Sequence, residues 1–61
     1  MGLFGSKENP EDLMYNAISM MEKNQPKVAI SLFNKILKQD SENVSALFNK
    51  GLALNQRKKY S

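Results

Sequence analysis

The sequence predicts an all-α fold of three helices in antiparallel helix–turn–helix order. Three observations carry this prediction. Apolar residues recur at helical spacing in three separate stretches. Between the stretches stand two short polar breaks, Asn24-Gln25-Pro26 and Asp40-Ser41-Glu42-Asn43, built from turn and capping residues. Strand-like alternation is never sustained, and β-branched residues are few. With breaks this short, consecutive helices are expected to fold back beside one another.

Residues 1–8 read as a flexible lead, because two Gly and a Ser in eight residues favour no regular element. The lead also fits the Met-Gly-x-x-x-Ser pattern for acylation at Gly2. The pattern is short and common, and one acyl chain gives only marginal membrane binding. Leu3 and Phe4 are expected to be loosely packed or exposed. No secretory signal is visible.

The first helix is expected to open at Asn9, a good N-cap, with Pro10 at the first helical position. Glu11 and Asp12 follow at the positive end of the helix dipole. Leu13, Met14, Ala17, Ile18, Met20 and Met21 form its apolar pattern. Asn24 tolerates a left-handed conformation at a helix end, and Pro26 can open the next helix. The second helix is expected from about Pro26 to Lys38 or Gln39, with Val28, Ala29, Leu32, Phe33, Ile36 and Leu37 as its stripe. The third is expected from about Glu42 or Asn43 to Lys58, marked by Val44, Leu47, Phe48, Gly51, Leu52 and Leu54. A mid-helix Gly costs about 1 kcal/mol against Ala, so Gly51 is expected to permit close approach of another helix.

At 61 residues the chain allows one domain, whose core is small. It contains no Cys, so no disulfide or thiolate metal site can staple it, and no His. Imidazole catalysis and imidazole metal ligation are excluded. The acids are scattered over turns and solvent faces. Glu11 and Asp12 do not face each other on a helix, Ser19, Ser31 and Ser45 have no general base nearby in the pattern, and Asp40-x-Glu42 is too sparse for a carboxylate metal site. The expectation is no enzyme activity, no catalytic residue, no metal and no cofactor. No apolar run approaches the roughly 20 residues of a membrane span, and a cytoplasmic location is expected.

The net charge is +3, and its placement matters more than its total. Lys50, Arg57, Lys58 and Lys59 fall in the last twelve residues, which contain no acid. An electrostatic footprint for nucleic acid or anionic lipid is one reading. Cations that complement the negative end of a helix are the other, and it is preferred, because no aromatic interleaving or groove-reading motif accompanies the charges. Nucleic acid and membrane are therefore not the expected partners.

Residues 10–43 and 44–61 repeat one another at an offset of 34. Leu13 falls on Leu47, Met14 on Phe48, Ala17 on Gly51, Ile18 on Leu52 and Met20 on Leu54. A helix–turn–helix period of this length is a repeat signature. On these residues the chain resembles the tetratricopeptide repeat, over one full repeat (10–43) and the first helix of a second (44–61). The resemblance implies an αα solenoid fragment in which Leu13, Ala17, Met20, Ala29, Phe33, Ile36, Leu47, Gly51 and Leu54 pack helix against helix. Ile36 stands where the family usually has Ala, and Asp40-Ser41 keeps the family's acid without its Pro. Tyr60 supplies the aromatic near the second turn, where the first repeat has Pro26.

The resemblance also implies a binding groove along the first helices of successive repeats. Carried over, its residues are Met14, Ile18 and Met21, then Phe48, Asn49, Leu52 and Asn55, with Glu11 and Ser45 at the rim. The expected partner is a protein or peptide, held by an apolar centre in which Met adapts to shape. The same apolar residues could equally serve self-association. Repeats that clamp acidic chaperone C-termini use Lys and Asn on this face; here Met14 and Ile18 stand at the first-helix points and only Asn49 matches, so that specificity is not expected. Repeat arrays usually need about three or more units to bury a continuous core. One and a half units are therefore expected either to belong to a longer array or to form a homodimer or higher oligomer.

Overall fold

A computed structural model of the chain describes residues 9–60, and of Tyr60 the backbone alone. The lead, with its acylation pattern at Gly2, lies outside the described residues, as do the Tyr60 side chain and Ser61. The described residues form three α-helices and no strand: α1 over Pro10–Glu22, α2 over Pro26–Gln39 and α3 over Val44–Tyr60.

Local chemistry sets each boundary. Asn9 has extended backbone, and its side-chain oxygen accepts from the Glu11 N–H at 2.7 Å, while Pro10 occupies the first turn, where its missing N–H costs nothing. α1 ends because Asn24 turns left-handed, with φ 60°. The Asn24 N–H then donates to the Met21 carbonyl at 3.0 Å and the Gln25 N–H to the Met20 carbonyl at 2.8 Å. This paired closure satisfies carbonyls that the helix end would otherwise orphan. Pro26 opens α2 without a side-chain cap on Gln25.

The second turn is tied by its own side chains. Asp40 accepts from the Glu42 N–H at 3.1 Å, and the Asn43 N–H reaches the Asp40 carbonyl at 3.2 Å. Asn43 then caps α3, its side-chain oxygen taking the Ala46 N–H at 2.9 Å. The third helix thus begins at Val44, with Glu42 and Asn43 in the turn before it, and it runs two residues past Lys58.

The core is a single cluster of Leu13, Ala17, Ala29, Phe33, Ile36, Ala46 and Ala53. Phe33 and Ile36 are its largest fully buried side chains. Met14, Met20, Met21, Ile30, Leu32 and Leu37 pack around it, partly buried. α2 lies between α1 and α3 and packs on both, whereas α1 and α3 meet more sparingly. Two short connections make α1 and α3 run in the same direction, each antiparallel to α2.

The third helix corrects one expectation. Leu47, Gly51 and Leu54 lie outside the buried core: Leu47 is 51% and Leu54 45% exposed, and Gly51 is exposed as well. α3 instead seats Ala46 and Ala53 against its neighbours, with Asn49, Lys50 and Gln56 half-buried beside them. The physical reason lies in the register. Leu13, Ala17 and Met20 of α1 pack because α2 covers them; the matching residues of α3 face the side where no further helix stands among the described residues. The approach of α3 to the α1–α2 pair is close, and it takes alanine.

Gly51 likewise has no close helix beside it. A Cβ built there meets nothing within 4 Å. Gly51→Ala is therefore expected to raise stability in dilute solution by about 1 kcal/mol, through helix propensity alone. Thermal unfolding followed by circular dichroism checks it; an unchanged or lower midpoint would contradict the open placement.

Candidate functional site

The side-by-side course of α1 and α3 creates the feature of interest. Both helices start at the same end of the molecule, and their first turns bound a cleft of about 300 Å³. Pro10, Glu11 and Met14 form one wall, and Asn43 and Ser45 the other. At the opposite end α1 and α3 are held together by Gln56. Its side-chain amide nitrogen donates to the Met21 carbonyl and to the Asn24 side-chain oxygen, each at 3.0 Å. The Gln56 side-chain oxygen is buried and without a partner. The face between α1 and α3 is thus bounded by a cleft at one end and by a polar tie at the other.

The expected groove residues fall along this face in different ways. Met14 lines the cleft with Glu11 and Ser45, and its side chain also packs against the core. Met21 is half-buried against the core, near the tie. Ile18 is exposed on α1. On α3, Phe48 is 66% exposed, and Leu52 and Asn55 are exposed with it. Asn49 is half-buried, and its side-chain nitrogen donates to the Ser45 carbonyl at 2.8 Å, one turn back on the same helix. That bond occupies one of its donors and fixes the amide along the helix surface.

Helical spacing places Phe48, Leu52 and Asn55 on one face of α3, as it places Met14, Ile18 and Met21 on the matching face of α1. Of these residues, Met14 lines the cleft itself. Pro10 and Asn43 are cleft residues that sequence reasoning did not select. Both were read as helix starters, and the signal that could have found them is the parallel course of the first and third helices, which brings the two helix starts together.

The described surface joins this cleft to exposed apolar side chains of α1 and α3. The described residues contain no group of three or more His, Cys, Asp or Glu placed to hold a metal ion. No helix among them is long and apolar enough to cross a membrane. Exposed large apolar residues are concentrated on α3, where Val44, Leu47, Phe48, Leu52 and Leu54 are all accessible. No family model matches the chain, and no curated protein or solved structure matches it.

Proposed function

We propose that the chain is a protein-interaction module of the helix–turn–helix repeat type, which takes up a peptide or partner helix along the face shared by α1 and α3. The observation that carries this reading is the exposure of Phe48 and Leu52 on the side of α3 whose first turn, at Ser45, bounds the cleft. An exposed aromatic next to a concavity offers a large apolar contact at little conformational cost. The mixture of Met, Ile, Leu and Phe, rimmed by Glu11, Ser45 and Asn55, fits a short apolar anchor with polar ends. The same apolar surface supports a reading of binding over one of catalysis. The repeat resemblance supports the reading by assigning the groove to these two helices.

Selection from a displayed library of random peptides tests it. Enriched peptides should share one or two large apolar residues. Phe48→Glu should weaken their binding by at least about tenfold, as expected when a charge enters an apolar contact, with helicity unchanged. Ser31→Glu, at an exposed position on α2, serves as the control and should bind normally. Failure to enrich such peptides, or equal binding by both variants, would overturn the proposal.

A second reading rests on Arg57, Lys58 and Lys59, which are exposed in the last turn of α3. It makes the chain an adaptor for an anionic membrane surface or nucleic acid, and it requires binding that falls steeply with salt. Flotation with anionic vesicles and titration with nucleic acid at low salt decide it: no binding in either removes this reading.

A further inference from the structure

We propose that two copies of this chain pair through the outer face of α3, antiparallel, about a two-fold axis that passes α3 near the level of residue 49. The face is the stripe Val44, Leu47, Gly51, Leu54 and Lys58, whose steps of three and four keep it on one side of the helix. It lies about a quarter-turn round α3 from Phe48 and Leu52, so it is distinct from the proposed peptide face. Val44 is 75% exposed, and with Leu47 and Leu54 it forms an apolar row that Gly51 interrupts. Such rows call for cover.

The internal repeat shows what kind of cover the face accepts. Its counterparts in α1, Leu13, Ala17 and Met20, are covered by a helix, α2. A second copy offers the same row on its own α3, whereas the exposed large apolar residues of its α1 and α2, Tyr15, Ile18 and Val28, form no such row.

The two ends of the molecule indicate how the copies meet. The α1 residues that match the inward face of α3 are Asp12, Asn16, Ser19 and Glu22, together with the exposed Tyr15. That end is closed by polar groups, whereas the α3 end is apolar. Head-to-tail stacking would press the apolar row onto polar side chains. Face-to-face pairing buries apolar on apolar and closes as a dimer rather than growing into a fibre.

Size and charge set the direction and register. An antiparallel pair centred near residue 49 brings Leu47 over the vacant space at Gly51 of its partner, where a Cβ would meet nothing within 4 Å. It brings Val44 against Leu54 of the partner subunit. It carries Lys58 past the start of α3 of the partner subunit, toward the turn that bears Asp40 and Glu42. The dipoles of the two helices then also oppose each other favourably. A parallel pair would place Lys58 against Lys58 of the partner subunit and lose the match of Leu47 with glycine.

Two facing helices of this length cover less than the roughly 800 Å² per partner of a standard interface. The dimer is accordingly weak, with a dissociation constant on the order of 10–100 μM. Sedimentation equilibrium from about 5 μM to about 1 mM should show monomer passing to dimer across that range. Leu47→Glu with Leu54→Glu should weaken pairing by at least about 100-fold through buried, unpaired charge. Helicity should persist, because both residues are half-exposed in the monomer. Phe48→Glu should leave pairing within about threefold, which separates this interface from the peptide face.

The chain has no cysteine of its own, so directed disulfides report the geometry. A mixture of Val44→Cys and Leu54→Cys chains in a glutathione buffer should give the mixed disulfide. Neither chain alone should cross-link to itself, its two copies of the residue lying about 15 Å apart along the axis. A monomer at every concentration, a dimer indifferent to the double Glu variant, or efficient disulfides of each chain with itself would each overturn the proposal.

Discussion

Phe33→Ala is expected to remove about half or more of the chain's folding stability. Phe33 is the largest fully buried side chain, in the middle of α2 and within the cluster that contains residues of all three helices. Truncating a buried Phe to Ala costs about 3–5 kcal/mol, combining lost transfer energy with the cavity left behind. A domain of this size has a total stability of only about 3–9 kcal/mol. Neighbours cannot readily fill the gap, because Ala17, Ala29, Ala46 and Ala53 are short and fixed to helices. Thermal and urea unfolding followed by circular dichroism would measure it. A midpoint within a few degrees of the parent would mean that the core does not depend on this ring.

The second large effect is expected from Ala53→Leu, a change that adds apolar surface and should nevertheless destabilise. Ala53 is fully buried where α3 meets its neighbours. Three extra carbons must displace a helix rather than fill space, at a cost of about 1–3 kcal/mol. The loss should centre on α3, lowering the melting temperature by about 4–8 °C per kcal/mol. Leu54→Ala, one residue further on, is the contrast. Leu54 is half-exposed in the monomer, so in dilute solution its truncation should cost well under 1 kcal/mol. The reverse order of effects would restore Leu54 to the core and return Ala53 to the surface.

That pair of residues also marks where the sequence was legible and where it was not. Helix ends were legible because they depend on neighbours in the chain: Asn9 with Pro10, the left-handed Asn24, and the polar turn before Val44 all act locally. Most of the α2 stripe was legible, with Ala29, Phe33 and Ile36 buried and Leu32 and Leu37 half-buried, whereas Val28, read into the same stripe, is 43% exposed in the first turn. α3 is different. It carries Ala46 and Ala53 on one side and Leu47 and Leu54 on another, so side-chain size pointed to the leucines as the packed face. What selects the alanines is the close approach of α3 to a pair of helices already in contact, and this depends on tertiary geometry. The candidate groove divides in the same way. Phe48 stood out as an apolar residue in a helical pattern, whereas Pro10 and Asn43 join the cleft because α1 and α3 run in parallel.

The tie made by Gln56 has a kinetic consequence. Most packing joins helices adjacent in sequence, α1 with α2 and α2 with α3. Chains with such local contacts fold in microseconds to milliseconds. The hydrogen bonds from Gln56 to Met21 and Asn24 span 35 and 32 residues, so they require the longest loop closure among the hydrogen bonds described here. They form late, after the α1–α2 hairpin has given them a surface to reach. In reverse, the end of α3 is expected to open first, so that amide exchange near residue 56 should outpace that of the Phe33 core.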